Sequence, residues 1–404
     1  MSRRSQLAEH WLLDPDITFL NHGSFGACPK TVLEEQSRWR ARMEAEPVRF
    51  LHREVESHLD HAKDVLARFL GAQARDLVFV VNATTGVNTV LRSLSLRPGD
   101  ELLVTDQEYN ACRNALDFVA ARRSARVVVA HVPFPIANEQ QVLDSIVAAV
   151  TPRTRVLLVD HVTSQTGMVM PIAAIVSAMR QRGVEVLVDG AHAIGMLPLN
   201  LDALGAGWYT GNCHKWLCTP KGSAVLHVRS DLQSAMRPLV ISHGANSSRT
   251  DRSRFLIEAD WIGTHDPTPW LCIPRALEFL SGLFPGGIDG LRDHNRSLVR
   301  HGRNLLLETL EQSPPCPDSM IGSLASIPVP PGSGPIPPLG LDPLHVALFE
   351  KERIEVPVMA WPAAPARLLR ISAQAYNHSS EYERLAAVLP RLLADERAHR
   401  PCCN

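Results

Sequence analysis

Short, continuous apolar runs return at regular intervals through the first half of the chain and constrain its fold more than any other feature. They occur at 77–81 (LVFVV), 101–105 (ELLVT), 126–132 (RVVVAHV), 155–161 (RVLLVDH) and 184–190 (VEVLVDG). Helical patterns lie between them at 85–94, 110–122, 139–150 and 171–182, and GWYTGN and GSAVLHVR supply two more strands. Strands that are apolar throughout, rather than at alternate positions, are covered on both faces. Alternation with helices predicts an α/β fold around a mainly parallel sheet. Such sheets bind ligands beyond the carboxyl ends of their strands.

The flanking regions complete this reading. Residues 31–70 read as helical with a break near Pro47, and Leu59, Ala62, Val65, Leu66 and Phe69 form an apolar stripe. Gly71 suits the helix stop. Beyond 313 the sequence is rich in proline, glycine and serine and predicts loops. Around it, helices are expected near 286–311, 343–353 and 378–396, with strands near 354–359 and 367–372. These form a second, smaller α/β unit.

The formal net charge of -1 excludes the basic footprint of a nucleic-acid or anionic-membrane binder. The opening MSRRSQLAEHWLLDPD lacks the apolar segment and cleavage site of a secretory leader. No run approaches the roughly 18 apolar residues of a spanning helix. A cytoplasmic protein is expected, with neither a nucleic-acid nor a membrane partner. Eight cysteines in 404 residues do not form a disulfide framework. Cys213 and Cys218 lack a second ligand pair, and His58 and His61 sit among charged neighbours, so no metal site is expected. Cys402 and Cys403 fall in a fraying tail.

Chemistry gathers at the predicted strand ends. In VNATTGVN, Ala83, Thr84 and Thr85 begin a helix, which makes either an anion site fit for phosphate or an ordinary capped start. Asp189 ends a buried strand and needs a positive partner, either a metal or a protonated ring nitrogen. His192 follows three residues on. Lys215 lies 26 residues beyond Asp189, in TGNCHKWLCTPKG, beside His214. A carboxylate for a pyridinium nitrogen and a lysine for an aldehyde are what pyridoxal phosphate requires. Burial and nearby positive charge would lower the lysine pKa for that task.

With these residues in view, the chain resembles class V aminotransferase-type enzymes, which use pyridoxal 5'-phosphate on fold type I. Within them it is similar to the isopenicillin N epimerase-like group. FLNHGSFGACP, NATTGVN, TDQEYNA, HVTSQTGMVMPI, VDGAHAIG, YTGNCHKWL, GTHDPTPWL and LLRISAQAYN carry the resemblance across residues 19–377. It implies a large domain at 31–284 with a seven-stranded sheet, a small C-terminal domain at 285–404, and an N-terminal segment, 1–30, lining the active site.

The resemblance also implies roles. Lys215 bonds the cofactor aldehyde, Asp189 pairs with the ring nitrogen, His192 approaches the ring hydroxyl and Tyr109 stacks on the ring. Thr84, Thr85, Asn212 and His214 hold the phosphate. Thr163 and Ser164 lie near the ring hydroxyl. Thr264 reaches the phosphate of a partner subunit, so a homodimer is implied. Arg370 clamps the carboxylate of a small amino-acid substrate, a task suited to the arginine fork; a structural ion pair is the alternative. Asn21 and His22 line the substrate pocket.

Two departures bear on the reaction. His265 stands where relatives often carry an arginine, which removes that means of holding a second, distal carboxylate. No cysteine lies between Cys316 and Arg370, where the related desulfurases carry their nucleophile. The expected reaction is epimerisation at an amino-acid α-carbon. A β-lyase acting on a cysteine-derived substrate and an aminotransferase are the alternatives. A ligand-sensing module is disfavoured, because no DNA-binding segment or basic patch accompanies the fold.

Overall fold

The computed structural model describes residues 4–332 and 340–398. The expected tail cysteines, Cys402 and Cys403, lie outside the described residues.

Seven strands build the central sheet: β1 (Leu77–Val80), β2 (Glu101–Thr105), β3 (Arg126–Ala130), β4 (Thr154–Asp160), β5 (Glu185–Asp189), β6 (Trp208–Asn212) and β7 (Ala224–Val228). Their order across the sheet is β1-β7-β6-β5-β4-β2-β3. Strand β7 alone runs against its neighbours, pairing antiparallel with both β1 and β6. The other pairs are parallel.

Alternate residues divide between two cores, as the period of two in a strand requires. Leu77, Phe79, Leu103, Leu157, Val159, Val186 and Val188 join one cluster. Val78, Val80, Leu102, Val104, Val156, Leu158 and Leu187 join the other. Both faces are therefore apolar, which is why the strands read as unbroken hydrophobic runs.

The helical stretch from Lys30 divides where Pro47 breaks the hydrogen-bond ladder. A wider turn at Phe50–Glu54 leads into the helix Val55–Leu70. Gly71, at φ 59°, ends that helix.

A second, three-stranded antiparallel sheet contains β8 (Leu324–Val329), β9 (Val358–Ala360) and β10 (Arg367–Ser372), with β10 in the middle. The long helices Ile288–Thr309 and Ser379–Ala398 pack together beside it. Strand β8 departs from the sequence expectation, which assigned loops to this stretch. It is an edge strand, where Pro328 removes no ladder bond that the sheet needs. The run expected at 354–359 is split around Pro357. Ile354–Glu355 pairs with Thr18–Phe19, and Val358–Ala360 pairs with β10. The N-terminal segment is thereby tied to the second sheet, and Ser372 N–H donates to Leu20 O at 2.9 Å. Among the described residues, no helix is long and apolar enough to cross a membrane.

Candidate active site

The carboxyl ends of β4, β5 and β6 converge. Asp160 and Asp189 stand opposite each other in the sheet register, and Asp189 stands opposite Thr210. The chain then leaves β5 toward His192 and β6 toward Lys215. Gly26, at φ 71°, lets the N-terminal segment lie against this turn; a Cβ there would meet His214 O at 2.3 Å and Lys215 Cα at 2.9 Å.

Lys215 Nζ lies 3.1 Å from His192 Nε2. The indole Nε1 of Trp216, which can only donate, reaches His192 Nδ1 at 3.4 Å. That contact assigns the ring proton to Nε2, so the imidazole can donate to the lysine amine once that amine has lost its proton. Burial, reinforced by the charge of Arg370, lowers the Lys215 pKa to about 8. Burial also holds His192 neutral, with its pKa well below the ordinary range.

Asp189 is buried, and its carboxylate oxygens accept from Cys112 Sγ at 3.1 Å and Ala191 N–H at 2.9 Å. Burial raises its pKa. Glu108, just before Tyr109, is also buried, and neither of its carboxyl oxygens has a hydrogen bond. Asp160 Oδ2 is likewise unpartnered. Burial and the other two carboxylates push the Glu108 pKa well up. Burial favours the neutral form of these acids, and a protonated pyridine ring beside Asp189 would favour its carboxylate.

Arg370 enters from β10. It is buried, and burial lowers its pKa to about 10. Its Nη1 donates to Ser164 O and its Nη2 donates to Ser24 Oγ at 3.0 Å. Ser24 Oγ donates onward to Asn21 Oδ1 at 2.6 Å, and Asn21 Nδ2 donates to Glu355 at 2.8 Å. No carboxylate pairs with Arg370 among the described residues. His22 is buried behind the lysine, with Nδ1 2.8 Å from Tyr376 OH and Nε2 3.0 Å from Lys215 O. Tyr109 begins the helix Asn110–Arg123 and remains half-exposed, and burial, reinforced by Cys112 and Asp189, raises its phenol pKa.

Of the residues expected to hold a phosphate, Thr84, Thr85 and Asn212 stand at the start of the helix Ala83–Ser93. Asn212 Oδ1 accepts from Ala83 N–H at 2.8 Å. Asn82 caps the helix through Thr85 N–H at 2.8 Å and Thr85 Oγ1 at 3.0 Å. Thr85 is thus engaged locally, while the Thr84 hydroxyl and N–H carry no hydrogen bond among the described residues. His214 Nδ1 donates to Ser223 O at 2.7 Å.

Three predicted residues stand differently. The Thr163 hydroxyl is used within its own turn, by Thr166 Oγ1 at 2.6 Å and Met168 N–H at 2.8 Å. Ser164 meets Arg370. Thr264 lies on an exposed loop, bordering a groove of about 890 Å³ lined by His52, Leu59, His243 and Trp261. No hydrogen bond ties it to the other predicted residues. Cys112, Glu108, Ser24 and Trp216 were not anticipated. Only Cys112 carried a signal, through its one-turn spacing from Tyr109 on a helix face.

Residues 19–320 match the family described as aminotransferase class-V. The chain is 36% identical over 394 residues to the isopenicillin N epimerase of Amycolatopsis lactamdurans, covering 94% of this chain and 96% of that one. It is 30% identical over 412 residues to the "Probable L-cysteine desulfhydrase, chloroplastic" of Arabidopsis thaliana, covering 97% and 85% respectively. Its fold is similar to that of the cysteine desulfurase CsdA from Escherichia coli, with a TM-score of 0.76, 22% identity and coverage of 97% and 98%.

Proposed function

The chain belongs to the class-V aminotransferase family and is a pyridoxal-phosphate-dependent enzyme, and from that premise we propose that it epimerises an amino acid at the α-carbon. The observation that carries the proposal is the meeting of two buried cationic groups in different states. Burial brings the Lys215 pKa down to about 8, while Arg370 stays charged and has no acidic partner among the described residues.

Bound, the cofactor supplies an electron sink for the bond broken at the α-carbon. The protein supplies the rest. Asp189 keeps the ring nitrogen protonated from the buried wall. Asn212, His214 and the Thr84–Thr85 turn hold the phosphate at the helix start. Tyr109 would hold the ring, with Thr163 and Ser164 beside it. His192 donates to Lys215 Nζ and orients it. Lys215 then takes the α-proton at Nζ, with a pKa matched to that work. Arg370 holds the substrate carboxylate with its fork, fixing the α-C–H bond for transfer. Asn21 and His22 shape the pocket behind it.

A homodimer is part of this reading. Thr264 is exposed and apart from the other residues, so it would serve a phosphate held by a second chain. A cytoplasmic setting is also proposed.

A β-lyase is the second reading, favoured by the desulfhydrase relative that covers nearly all of the chain. His265, where an arginine was expected, supports it. The His265 Nδ1 donates to Gly263 O at 2.7 Å and its ring packs edge-on against Trp270, which does not suit it to grip a distal carboxylate. The test is incubation of the holoenzyme with a panel of L- and D-amino acids in deuterium oxide. Deuterium at the α-carbon with inverted configuration supports epimerisation. Release of pyruvate with ammonia or sulfide selects the lyase, and a keto acid with the carbon skeleton intact selects amino transfer.

A further inference from the structure

A second cluster of ligand-type side chains lies toward the other end of the sheet from Lys215. Asp76, Asp202 and His227 each offer one atom, and these atoms all fall within 4.8 Å of one another. The fold brings them together from three segments. Asp76 immediately precedes β1, whose first residue, Leu77, is paired with His227 of β7. Asp202 lies on the short helix Leu201–Leu204, and its N–H donates to Gly71 O at 3.0 Å. Gly71 makes that approach possible, since a Cβ there would stand 2.9 Å from Asn200 Cα.

His227 is the observation that points to a ligand. It is only 4% exposed, and its Nδ1 is buried with no hydrogen-bond partner among the described residues. Nε2 faces Asp202 Oδ1 at 3.9 Å, too far for a hydrogen bond. A buried ring nitrogen without a partner is costly. Both carboxylates are meanwhile oriented by amides. Gln233 Nε2 donates to Asp76 Oδ1 at 2.6 Å and Gln73 Nε2 donates to Asp202 Oδ2 at 3.2 Å. Each aspartate therefore keeps one oxygen for a further contact, in the manner of ligands steadied by outer hydrogen bonds.

We propose that Asp76, Asp202 and His227 form a binding site for one divalent transition-metal ion, with Zn²⁺ the best match. One nitrogen and two carboxylate oxygens suit zinc, and a water would complete a tetrahedron. Ligand atoms about 2.0–2.2 Å from such an ion stand about 3.4 Å apart, so the cluster needs to contract modestly. The exposed Asp202 can make that movement and leaves a route for the ion. The ion would fasten the turn before β1, strand β7 and the 201–204 helix to one another. It takes no part in the chemistry at Lys215.

The test uses cofactor-loaded protein stripped with EDTA and titrated with Zn²⁺, with binding followed by calorimetry and by metal analysis after gel filtration. One equivalent per chain is expected, with a rise in Tm that EDTA reverses. His227→Ala and Asp202→Asn should each weaken that equivalent at least tenfold and abolish the Tm rise, leaving turnover unchanged. Asp202 is a surface residue, so its variant decides the matter if His227→Ala fails to fold. Absence of stoichiometric binding, or zinc that remains equally tight in the variants and so resides on the cysteines, would overturn the proposal.

Discussion

Arg367 and Arg370 lie three residues apart on one strand, are equally buried at 3% exposure, and differ completely in charge partner. Arg367 is paired with Asp342 at 2.6 Å and with Glu396. Among the described residues, the Arg370 guanidinium donates only to a serine carbonyl and two serine hydroxyls. An odd spacing on a strand turns the two to opposite faces. One arginine is therefore already neutralised, and the other retains its charge toward the lysine pocket.

The two should respond in different currencies. Arg367→Met should cost stability, on the order of 3 kcal/mol, because it strands buried carboxylates. Arg370→Lys should keep the fold and the cofactor, yet raise KM for an amino acid by roughly tenfold to a hundredfold, as loss of a charge-assisted fork predicts. An amine without the carboxylate should bind the wild type and Arg370→Lys equally. A variant that still prefers the acid as strongly as wild type would make Arg370 structural.

The covalent assignment is checked by chemistry at one residue. Borohydride treatment of the holoenzyme followed by peptide mapping should place the cofactor on Lys215. Lys215→Ala should lose that link and most turnover. Label on Lys221, the other lysine of this segment, would contradict the geometry around His192.

For Asp189, function and folding should separate. Burial raises its pKa, so the folded apoprotein holds the proton more tightly than the unfolded chain. That contribution is lost as pH rises through the folded pKa. Asp189→Asn should therefore leave apoprotein stability at pH 7 intact or improved. The loaded variant should exchange the substrate α-proton at least about tenfold more slowly, since the ring nitrogen loses its charged partner. Equal exchange rates in a loaded variant would remove Asp189 from this role.

The large sheet was legible because both its faces are buried, leaving the runs from Leu77 to Asp189 without alternation. Asp189, His192 and Lys215 were legible for a related reason: charged groups at the ends of apolar strands need a partner. Strand β8 was hidden because Pro328 and its proline-rich surroundings read as loop, while its pairing partner lies some 40 residues later. Glu108 was hidden because its importance comes from burial near Asp189, which no local pattern encodes, and the helical spacing of Cys112 from Tyr109 placed it on a face without revealing its contact with Asp189. Trp216 was not anticipated, because its part depends on its indole N–H reaching His192 Nδ1, a contact that exists only in the folded chain. The partnering of Arg367 rests on Asp342 and Glu396, which are distant in sequence, so the contrast with Arg370 emerged only in three dimensions.

The lowered Lys215 pKa makes a prediction independent of catalysis. A lysine of ordinary pKa 10.5 that falls to about 8 on folding binds its proton more weakly in the folded protein. Below pH 8 the amine is charged in both states, and folding bears the full cost of burying it, on the order of 3 kcal/mol from the usual conversion. The cost shrinks as pH rises from about 8 to 10.5 and vanishes above, where both states are neutral. Lys215→Met preserves the bulk of the stem and removes the amine. In the cofactor-free protein it should therefore be more stable than wild type at pH 7 in a denaturant titration, with the gap closing between pH 8 and 10.5. Taking the difference between the two proteins cancels the buried cysteines and tyrosines that titrate in the same range. A gap that stays constant with pH would mean that the methionine acts by packing alone, and that Lys215 is not held near neutrality by its surroundings.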